Sequence, residues 1–123
     1  MNEKLKSFLD NDWKAERVIE SGNNWNIFAK PIDNFFVYAW AEANENGKQW
    51  GQVGIYSPNG LNNNRFVTKV LEQIRDTYKL KEPRTRDGNW LYVDFDNYDD
   101  SKETEEKYCE RLAEAANKLF DML

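Results

Sequence analysis

The sequence contains no histidine, and that absence removes much of the chemistry on which small enzymes depend. Serine–histidine–aspartate and cysteine–histidine nucleophiles, HExxH metal sites and acid–base catalysis by imidazole all require this side chain. An enzyme built on this chain would have to use carboxylates, lysine, tyrosine or the single cysteine. We therefore favour a non-catalytic protein, and we assign no catalytic residue, cofactor or metal ligand.

Cysteine and long apolar runs are also scarce. The one cysteine, Cys109, excludes an internal disulfide and a zinc site made of several cysteines, which indicates the reducing cytosol. No stretch approaches the roughly 20 apolar residues of a transmembrane helix, and Met1 to Leu9 lack the apolar run of a signal peptide. We expect a cytoplasmic protein that does not bind membranes, in which Cys109 is a small buried hydrophobic residue.

Basic residues are fewer than acidic ones, 17 against 22, and the net charge is −5. Because nonspecific nucleic-acid binding comes from neutralising phosphates, this balance argues against nucleic acid as the partner. Residues 65–86 hold seven basic side chains, whereas residues 94–110 hold eight acidic ones. Two solvated faces are the simpler explanation of this division, and an acidic surface that meets a basic protein is the functional one.

The chain has a large apolar supply for one domain. Its 123 residues, 40% hydrophobic and 15% aromatic, are enough for a core without disulfides or metals, and we expect a single domain over residues 1–123. Apolar spacing of three to five residues indicates helices, and alternation indicates strands. The predicted helices cover residues 2–20, 64–78 and about 100–123, and the first of these stretches is either one helix or two short helices, the second capped by Asp12. The predicted strands cover residues 25–30, 35–42, 49–56 and 90–96.

This order, α-β-β-β-α-β-α, predicts an α+β fold with a mainly antiparallel four-stranded sheet packed with helices. Asn46-Gly47 is a strong hairpin signal between the second and third strands. Ser21-Gly22 is predicted to end the first helix and Asn62 to Asn64 to cap the second. Asp100 and Glu103 fit a capping box for the third helix.

Two patterns predict local packing in the sheet. Gly51 and Gly54 lie inside a strand, where glycine indicates a bulge or a close backbone approach, such as a tryptophan lying over them. The last strand alternates, which separates its side chains onto two faces. We expect Leu91, Val93 and Phe95 on one face, and Trp90, Tyr92, Asp94 and Asp96 on the other.

Acidic side chains follow the last predicted strand. A calcium-loop interpretation matches Asp94, Asp96 and Glu105 to its first, third and twelfth positions, but Tyr98 and Asp99 break that pattern. A strand end followed by the negatively charged start of a helix is the simpler explanation. As a functional site, the acidic residues form a ridge that binds a partner. The members of this ridge are Asp94, Asp96, Asp99, Asp100, Glu103 and Glu106.

Aromatic residues lie on both faces of the predicted strands. Filling the core is their ordinary role, but a sheet face with incomplete cover would expose an aromatic patch that binds protein. We assign Trp50, Trp90 and Tyr92 to such a patch. Arg84 and Arg86 are assigned to an alternative, basic contact with nucleic acid.

The element order from the first helix to Asp96 resembles the core of the PD-(D/E)XK nuclease superfamily. Pro31-Ile32-Asp33 is similar to the acid-bearing start of the second strand in that family, and Glu20 to the acid that its first helix sometimes carries. The third strand of the family supplies an acid, a spacer and a lysine, and Trp50 to Tyr56 contain neither acid nor lysine. The resemblance therefore implies a degenerate, inactive copy of the kind that occurs in restriction and other defence systems.

Three functions follow, in order of preference. The first is a small acidic non-catalytic protein-binding domain, an inhibitor or immunity-type protein that covers a basic partner. The alternative is a degenerate nuclease-like domain of a defence system that contacts nucleic acid. A second alternative is a small-ligand binder or an enzyme that uses tyrosine and carboxylates in an aromatic pocket.

Overall fold

Three helices and six strands form the part of the chain that the computed structural model describes, residues 1–20, 23–43, 46–61 and 65–123. The helices are α1 (Asn2–Ser7), α2 (Arg65–Tyr78) and α3 (Glu105–Met122). The strands are β1 (Lys14–Glu20), β2 (Asn23–Ile32), β3 (Phe35–Ala43), β4 (Gln49–Tyr56), β5 (Arg84–Arg86) and β6 (Trp90–Asp94). The α+β class and the predicted order of helices and central strands are confirmed. The predicted signals at Ser21-Gly22 and at Asn62 to Asn64 lie outside the described residues.

The strands form one antiparallel sheet in the order β1-β2-β3-β4-β6-β5. β3 and β4 pair as a hairpin around Asn46-Gly47, as predicted, with Gly47 at a φ of 75°. A second tight turn joins β5 to β6, and there Asp87 and Gly88 have φ values of 55° and 72°. Such left-handed pairs are what an Asp-Gly hairpin turn requires. The connection from β4 to the far edge of the sheet runs through α2.

The prediction of helical structure over residues 2–20, as one helix or as two, is wrong after Ser7. Helix α1 ends there, and β1 pairs along its whole length with β2. The helical spacing arose because Leu5, Leu9 and Trp13 all reach the core from a short helix and the turn that follows it. With β1 at one edge and the short β5 at the other, the sheet has six strands rather than the predicted four.

The main core lies between one sheet face and the three helices. The predicted alternation of the last strand is confirmed, because Leu91, Val93 and Phe95 join this core whereas Trp90 and Tyr92 lie on the opposite face. Helix α3 contributes most of the helical part of the core, from Tyr108 to Leu119, and the buried Cys109 is among these residues as expected. None of the described helices is both long and apolar enough to span a bilayer.

The predicted capping box at the start of the last helix is wrong. Helix α3 begins at Glu105, and Thr104 is the N-cap, whose hydroxyl accepts a hydrogen bond from the Lys107 amide at 3.2 Å. The carboxylate of Glu103 faces Arg111 instead, and Asp100 is exposed in the loop before the helix. Because α3 begins at Glu105, the acidic loop between β6 and α3 is longer than predicted and covers residues 95–104.

Replacing Thr104 by alanine should lower the free energy of unfolding by about 1 kcal/mol, because one amide in the first turn of α3 loses its acceptor. The matched control is Asp100→Ala, which should change this free energy by less than about 0.5 kcal/mol, as surface substitutions usually do. Urea unfolding of both variants measures the difference. An equal loss in the two variants would contradict the assignment of the cap.

Candidate functional site

The sheet face opposite the helices carries a second core that no described helix contributes to. Its aromatic rings shield one another, since Tyr38 meets Trp90 edge-on at 5.1 Å and Tyr56 lies 4.3 Å from Trp90. We call this surface the aromatic face. Its buried members are Ile27, Ala29, Tyr38, Trp40, Trp90 and Tyr92, with Val18, Phe36, Trp50 and Tyr56 partly buried at the margins.

A chain of polar side chains crosses the aromatic face. The hydroxyl of Tyr38 donates to Gln52 Oε1 at 2.5 Å, and Gln52 Nε2 donates to Asp94 Oδ1 at 2.8 Å. Arg84 completes the chain by donating to the other oxygen of Asp94 at 2.9 Å. Burial raises the pKa of Tyr38 well above its usual value, so this hydroxyl stays protonated and acts as the donor. Asp94 is only 7% exposed and therefore lies inside the sheet, not on the outer acidic surface.

The two arginines of the predicted basic contact lie over aromatic rings. The guanidinium of Arg84 is 5.8 Å from the Tyr92 ring, and that of Arg86 is 5.1 Å from the Trp90 ring. Trp90 is 1% exposed and Tyr92 is 8% exposed beneath them. These four predicted site residues therefore contact one another, and the structure places most of the surface of the two rings inside the protein.

Trp50 is the predicted aromatic site residue that keeps part of its surface exposed. It lies at the start of β4, and its ring meets that of Trp40 almost at right angles, with centroids 4.7 Å apart. Glu42 is its partner across the β3–β4 pairing and lies on the same face. Burial raises the pKa of the Glu42 carboxyl above its usual value.

The loop between β6 and α3 contains most of the predicted acidic ridge. We call residues 96–106 the acidic segment, which has six acidic side chains and one lysine. Backbone contacts fix its start, because the Phe95 amide donates to the Gly51 carbonyl at 2.9 Å and the Tyr98 amide to the Gln49 carbonyl at 2.6 Å. The Tyr108 hydroxyl of α3 donates to the Asp96 carbonyl at 2.5 Å. The segment therefore follows the first residues of β4, next to Trp50.

The acids at the start of this segment are directed to solvent. Asp96, Asp99 and Asp100 are exposed, and none of them forms an ion pair with a described residue. The amide and the hydroxyl of Ser101 both donate to Asp99, at 2.9 and 2.6 Å, and lower the pKa of that carboxyl. Its negative charge is therefore held in a defined position at neutral pH.

The acids at the end of the segment are partly neutralised within the protein. Arg111 binds both carboxylate oxygens of Glu103, at 3.0 and 2.5 Å. Lys4 of α1 lies 2.7 Å from Glu105 and 3.3 Å from Glu106. The predicted ridge thus has three environments: a buried carboxylate at Asp94, exposed acids from residue 96 to 100, and ion-paired acids from residue 103 to 106.

Shallow clefts lie on either side of Tyr98. One has a volume of about 480 Å³ and is lined by residues of the acidic segment alone, and the other, of about 500 Å³, also includes Lys48 and Gln49. The Tyr98 ring is fixed against that of Tyr108, with centroids 5.7 Å apart. Both clefts are open and polar, so they suit contact with a protein surface better than enclosure of a small molecule.

The described residues offer little that is typical of a catalytic site. They include no group of three or more Cys, Asp or Glu side chains placed to hold a metal ion. Burial raises the pKa of the Cys109 thiol, which keeps it in the unreactive protonated form. What the site can do is present fixed negative charges beside an indole ring.

Comparisons with protein-family models, with curated proteins and with solved structures found no match for this chain. The resemblance to the nuclease superfamily therefore remains a prediction. Pro31 lies in β2, and Asp33 lies in the exposed turn that follows it, with a φ of 52°.

Three residues of the site were not predicted from the sequence: Glu42, Gln52 and Tyr98. The signal for Gln52 was its position between two glycines in an otherwise apolar strand, where a polar side chain needs a buried partner. In the sequence, Tyr98 stands out only as a residue that breaks a calcium-loop pattern. Glu42 required the register of the hairpin, which its turn residues do not specify.

Proposed function

We propose that the protein is a non-catalytic protein-binding domain that covers a basic surface of another protein, in the manner of an inhibitor or immunity protein. The observation that carries this proposal is the acidic segment, which presents Asp96, Asp99 and Asp100 to solvent without ion-pair partners among the described residues. Exposed charges of one sign steer and select a partner of the opposite sign.

The fixed shape of the segment supports the same function. Association is weakened by the cost of ordering loops and side chains at an interface. Here the backbone bonds of Phe95 and Tyr98 to β4, and the Tyr108 bond to Asp96, already order the segment before a partner arrives. The partly exposed Trp50 beside it supplies the kind of aromatic side chain that dominates binding energy at interfaces.

Affinity capture of the tagged protein from a lysate of its source cells tests the proposal. We expect a stoichiometric partner with a basic surface, recovered equally with and without nuclease treatment, in an amount that falls at high ionic strength. Recovery of nucleic acid, or loss of every bound protein after nuclease treatment, would contradict the proposal and favour the nuclease-like alternative. An eluate without a partner at low ionic strength would also count against it.

A further inference from the structure

Glu42 and Trp50 face each other on the aromatic face of the sheet. They are paired residues of β3 and β4, so their Cβ atoms lie about 5 Å apart and their side chains project to the same side. Trp40 lies two residues before Glu42 on β3, and its side chain therefore projects to the same face. The two tryptophans and the carboxylate thus form one local group at the end of the β3–β4 hairpin.

The Trp50 ring is held in place while part of it stays accessible. Trp40 is buried, and its ring is perpendicular to that of Trp50, with an interplanar angle of 86°. Aromatic pairs prefer this edge-to-face arrangement, which therefore favours the observed orientation of both rings. Among the described residues, Trp50 and Glu42 are both intermediate in exposure and so contribute partly exposed surface at this corner.

Glu42 is partly removed from water, and no cation of the described residues compensates its charge. No described residue forms an ion pair or a side-chain hydrogen bond with it. Burial is the cause of the raised pKa of its carboxyl. Removing water from a carboxylate without giving it a partner raises the free energy of its charged form. A cation that binds beside the carboxylate lowers this free energy again.

We propose that Trp50 and Glu42 form a socket for an arginine side chain of the partner protein, an inference that rests on the protein-binding function proposed above. The face of an indole ring attracts a cation, and tryptophan does so more strongly than the other aromatic side chains. A guanidinium group can stack on the ring and at the same time donate two hydrogen bonds to one carboxylate. Lysine offers a single ammonium without a planar surface, and we therefore assign arginine.

The surroundings of this pair favour the same ligand. The chain after β6 continues along the start of β4, where the Phe95 amide bonds to Gly51, and so brings Asp96 to the other side of Trp50. Asp96 is exposed and has no ion-pair partner among the described residues. Acidic residues thus lie on both sides of the first residues of β4, Glu42 on β3 and Asp96 in the loop after β6, and the pair is continuous with the acidic segment that we propose for partner binding.

Nuclear magnetic resonance with a defined probe tests the socket. The probe is the peptide acetyl-Gly-Arg-Gly-amide, titrated against the full chain at constant ionic strength while the indole N–H signals are followed. We expect the Trp50 signal to shift with the arginine peptide. The same peptide with citrulline, which is neutral but similar in shape, should leave that signal in place. An unchanged Trp50 signal with the arginine peptide, or an equal shift with both peptides, would overturn the proposal.

Substitution of the carboxylate gives the matched comparison. Glu42→Gln should weaken binding of the arginine peptide about tenfold, because a charge-assisted pair of hydrogen bonds becomes a neutral one. Glu16→Gln, an exposed acid on β1 that projects to the same face, removes the same charge and should leave the affinity unchanged. Equal weakening in both variants would show a general effect of charge and would overturn the assignment. A lysine peptide that binds more tightly than the arginine peptide would overturn the choice of ligand.

Loss of binding by Glu42→Gln will not come from unfolding. The folded-state pKa of Glu42 lies above its unfolded value, so its contribution to stability is present at low pH and is lost as the pH rises through the folded pKa. At neutral pH the neutral glutamine should therefore leave the protein at least as stable as the wild type. Thermal unfolding at neutral pH checks this. If the loss of stability is marked, Trp50→Phe is the second variant, and its titration follows the backbone amide signals of β3 and β4 because the indole signal is gone. Unchanged affinity of Trp50→Phe for the arginine peptide would then overturn the proposal.

The socket and the protein-binding function fail in different ways. If affinity capture yields a basic partner equally with the wild type and Glu42→Gln, the function stands and the socket is wrong. If no partner is captured but the arginine peptide still shifts the Trp50 signal, the socket stands and the proposed function is wrong.

Discussion

Replacing Gly54 by alanine is expected to lower the free energy of unfolding by about 3 kcal/mol, near the upper end of what overpacking usually costs. A Cβ atom at this position would lie 2.5 Å from the Leu91 carbonyl oxygen and 2.7 Å from the Tyr92 Cβ. Two of the three nearest atoms belong to the backbone of β6, so relief requires that β4 and β6 move apart. That movement would disturb the hydrogen bonds at the centre of the sheet.

Gly51→Ala is the control for this prediction, because it adds the same methyl group to the same strand. Its Cβ would lie 2.7 Å from a methyl group of Leu112, a flexible side chain, and 3.1 Å from the Trp40 carbonyl oxygen. We expect a loss of about 1 to 2 kcal/mol, since Leu112 can change its rotamer. Urea unfolding of both variants measures the order, and a Gly51→Ala variant less stable than Gly54→Ala would contradict it.

Replacing Asp94 by alanine is expected to lower the free energy of unfolding by about 2 to 3 kcal/mol. The substitution leaves the buried amide of Gln52 without its acceptor and separates Arg84 from its carboxylate. Most of the loss should come from Gln52, because the Arg84 side chain is 66% exposed and exposed ion pairs contribute little. Asp94→Asn keeps an acceptor for Gln52 and should cost less than about 1 kcal/mol.

The Asp94→Asn variant also tests whether Asp94 has a structural role or a binding role. Asp94 was predicted as part of a partner-binding ridge, whereas its burial indicates that it supports the polar chain across the aromatic face. Folded Asp94→Asn should therefore bind the captured partner as tightly as the wild type. An affinity loss of tenfold or more with unchanged stability would contradict this and return Asp94 to the binding surface.

The sequence predicted the α+β class because its strongest signals are local. The turn at Asn46-Gly47, the alternation from Trp90 to Asp94 and the amphipathic pattern of α2 each depend on a few neighbouring residues, and all three are found in the structure. The first 20 residues were misassigned because β1 is an edge strand with charged and apolar residues at mixed spacing. Its strand conformation depends on the pairing with β2, which is a tertiary contact that no local pattern of residues indicates.

The candidate site was predicted in part, for a similar reason. The acidic composition of residues 96–106 is visible in the sequence, and so is the close approach at Gly51 and Gly54, although the structure places Leu112 and Tyr92 there rather than a tryptophan. Which acid carries an exposed charge depends on distant partners such as Lys4 and Arg111. Composition alone therefore placed Asp94 and Glu103 in one ridge with Asp96.

A shift of one residue in the register of the β3–β4 hairpin decides which side chain lies beside Trp50. A two-residue turn at Asn46-Gly47 would place Ala43 opposite Trp50. The observed pairing of Ala43 with Gln49 closes a five-residue connection and places Glu42 opposite Trp50 instead. Because alternate residues project to opposite faces, this shift of one position decides whether a carboxylate or a methyl group lies beside the indole.

Affinity capture of two charge-reversed proteins at low ionic strength tests most directly whether the acidic segment binds the partner. One carries Asp96→Lys and Asp100→Lys in the acidic segment, and the other carries Glu3→Lys and Glu72→Lys on α1 and α2, with the same change of net charge. We predict that the first variant loses at least about nine-tenths of the bound partner, as expected for about 1.4 kcal/mol of lost interaction, and that the second retains most of it. Equal recovery by the two variants would contradict the claim that the acidic segment is the binding surface.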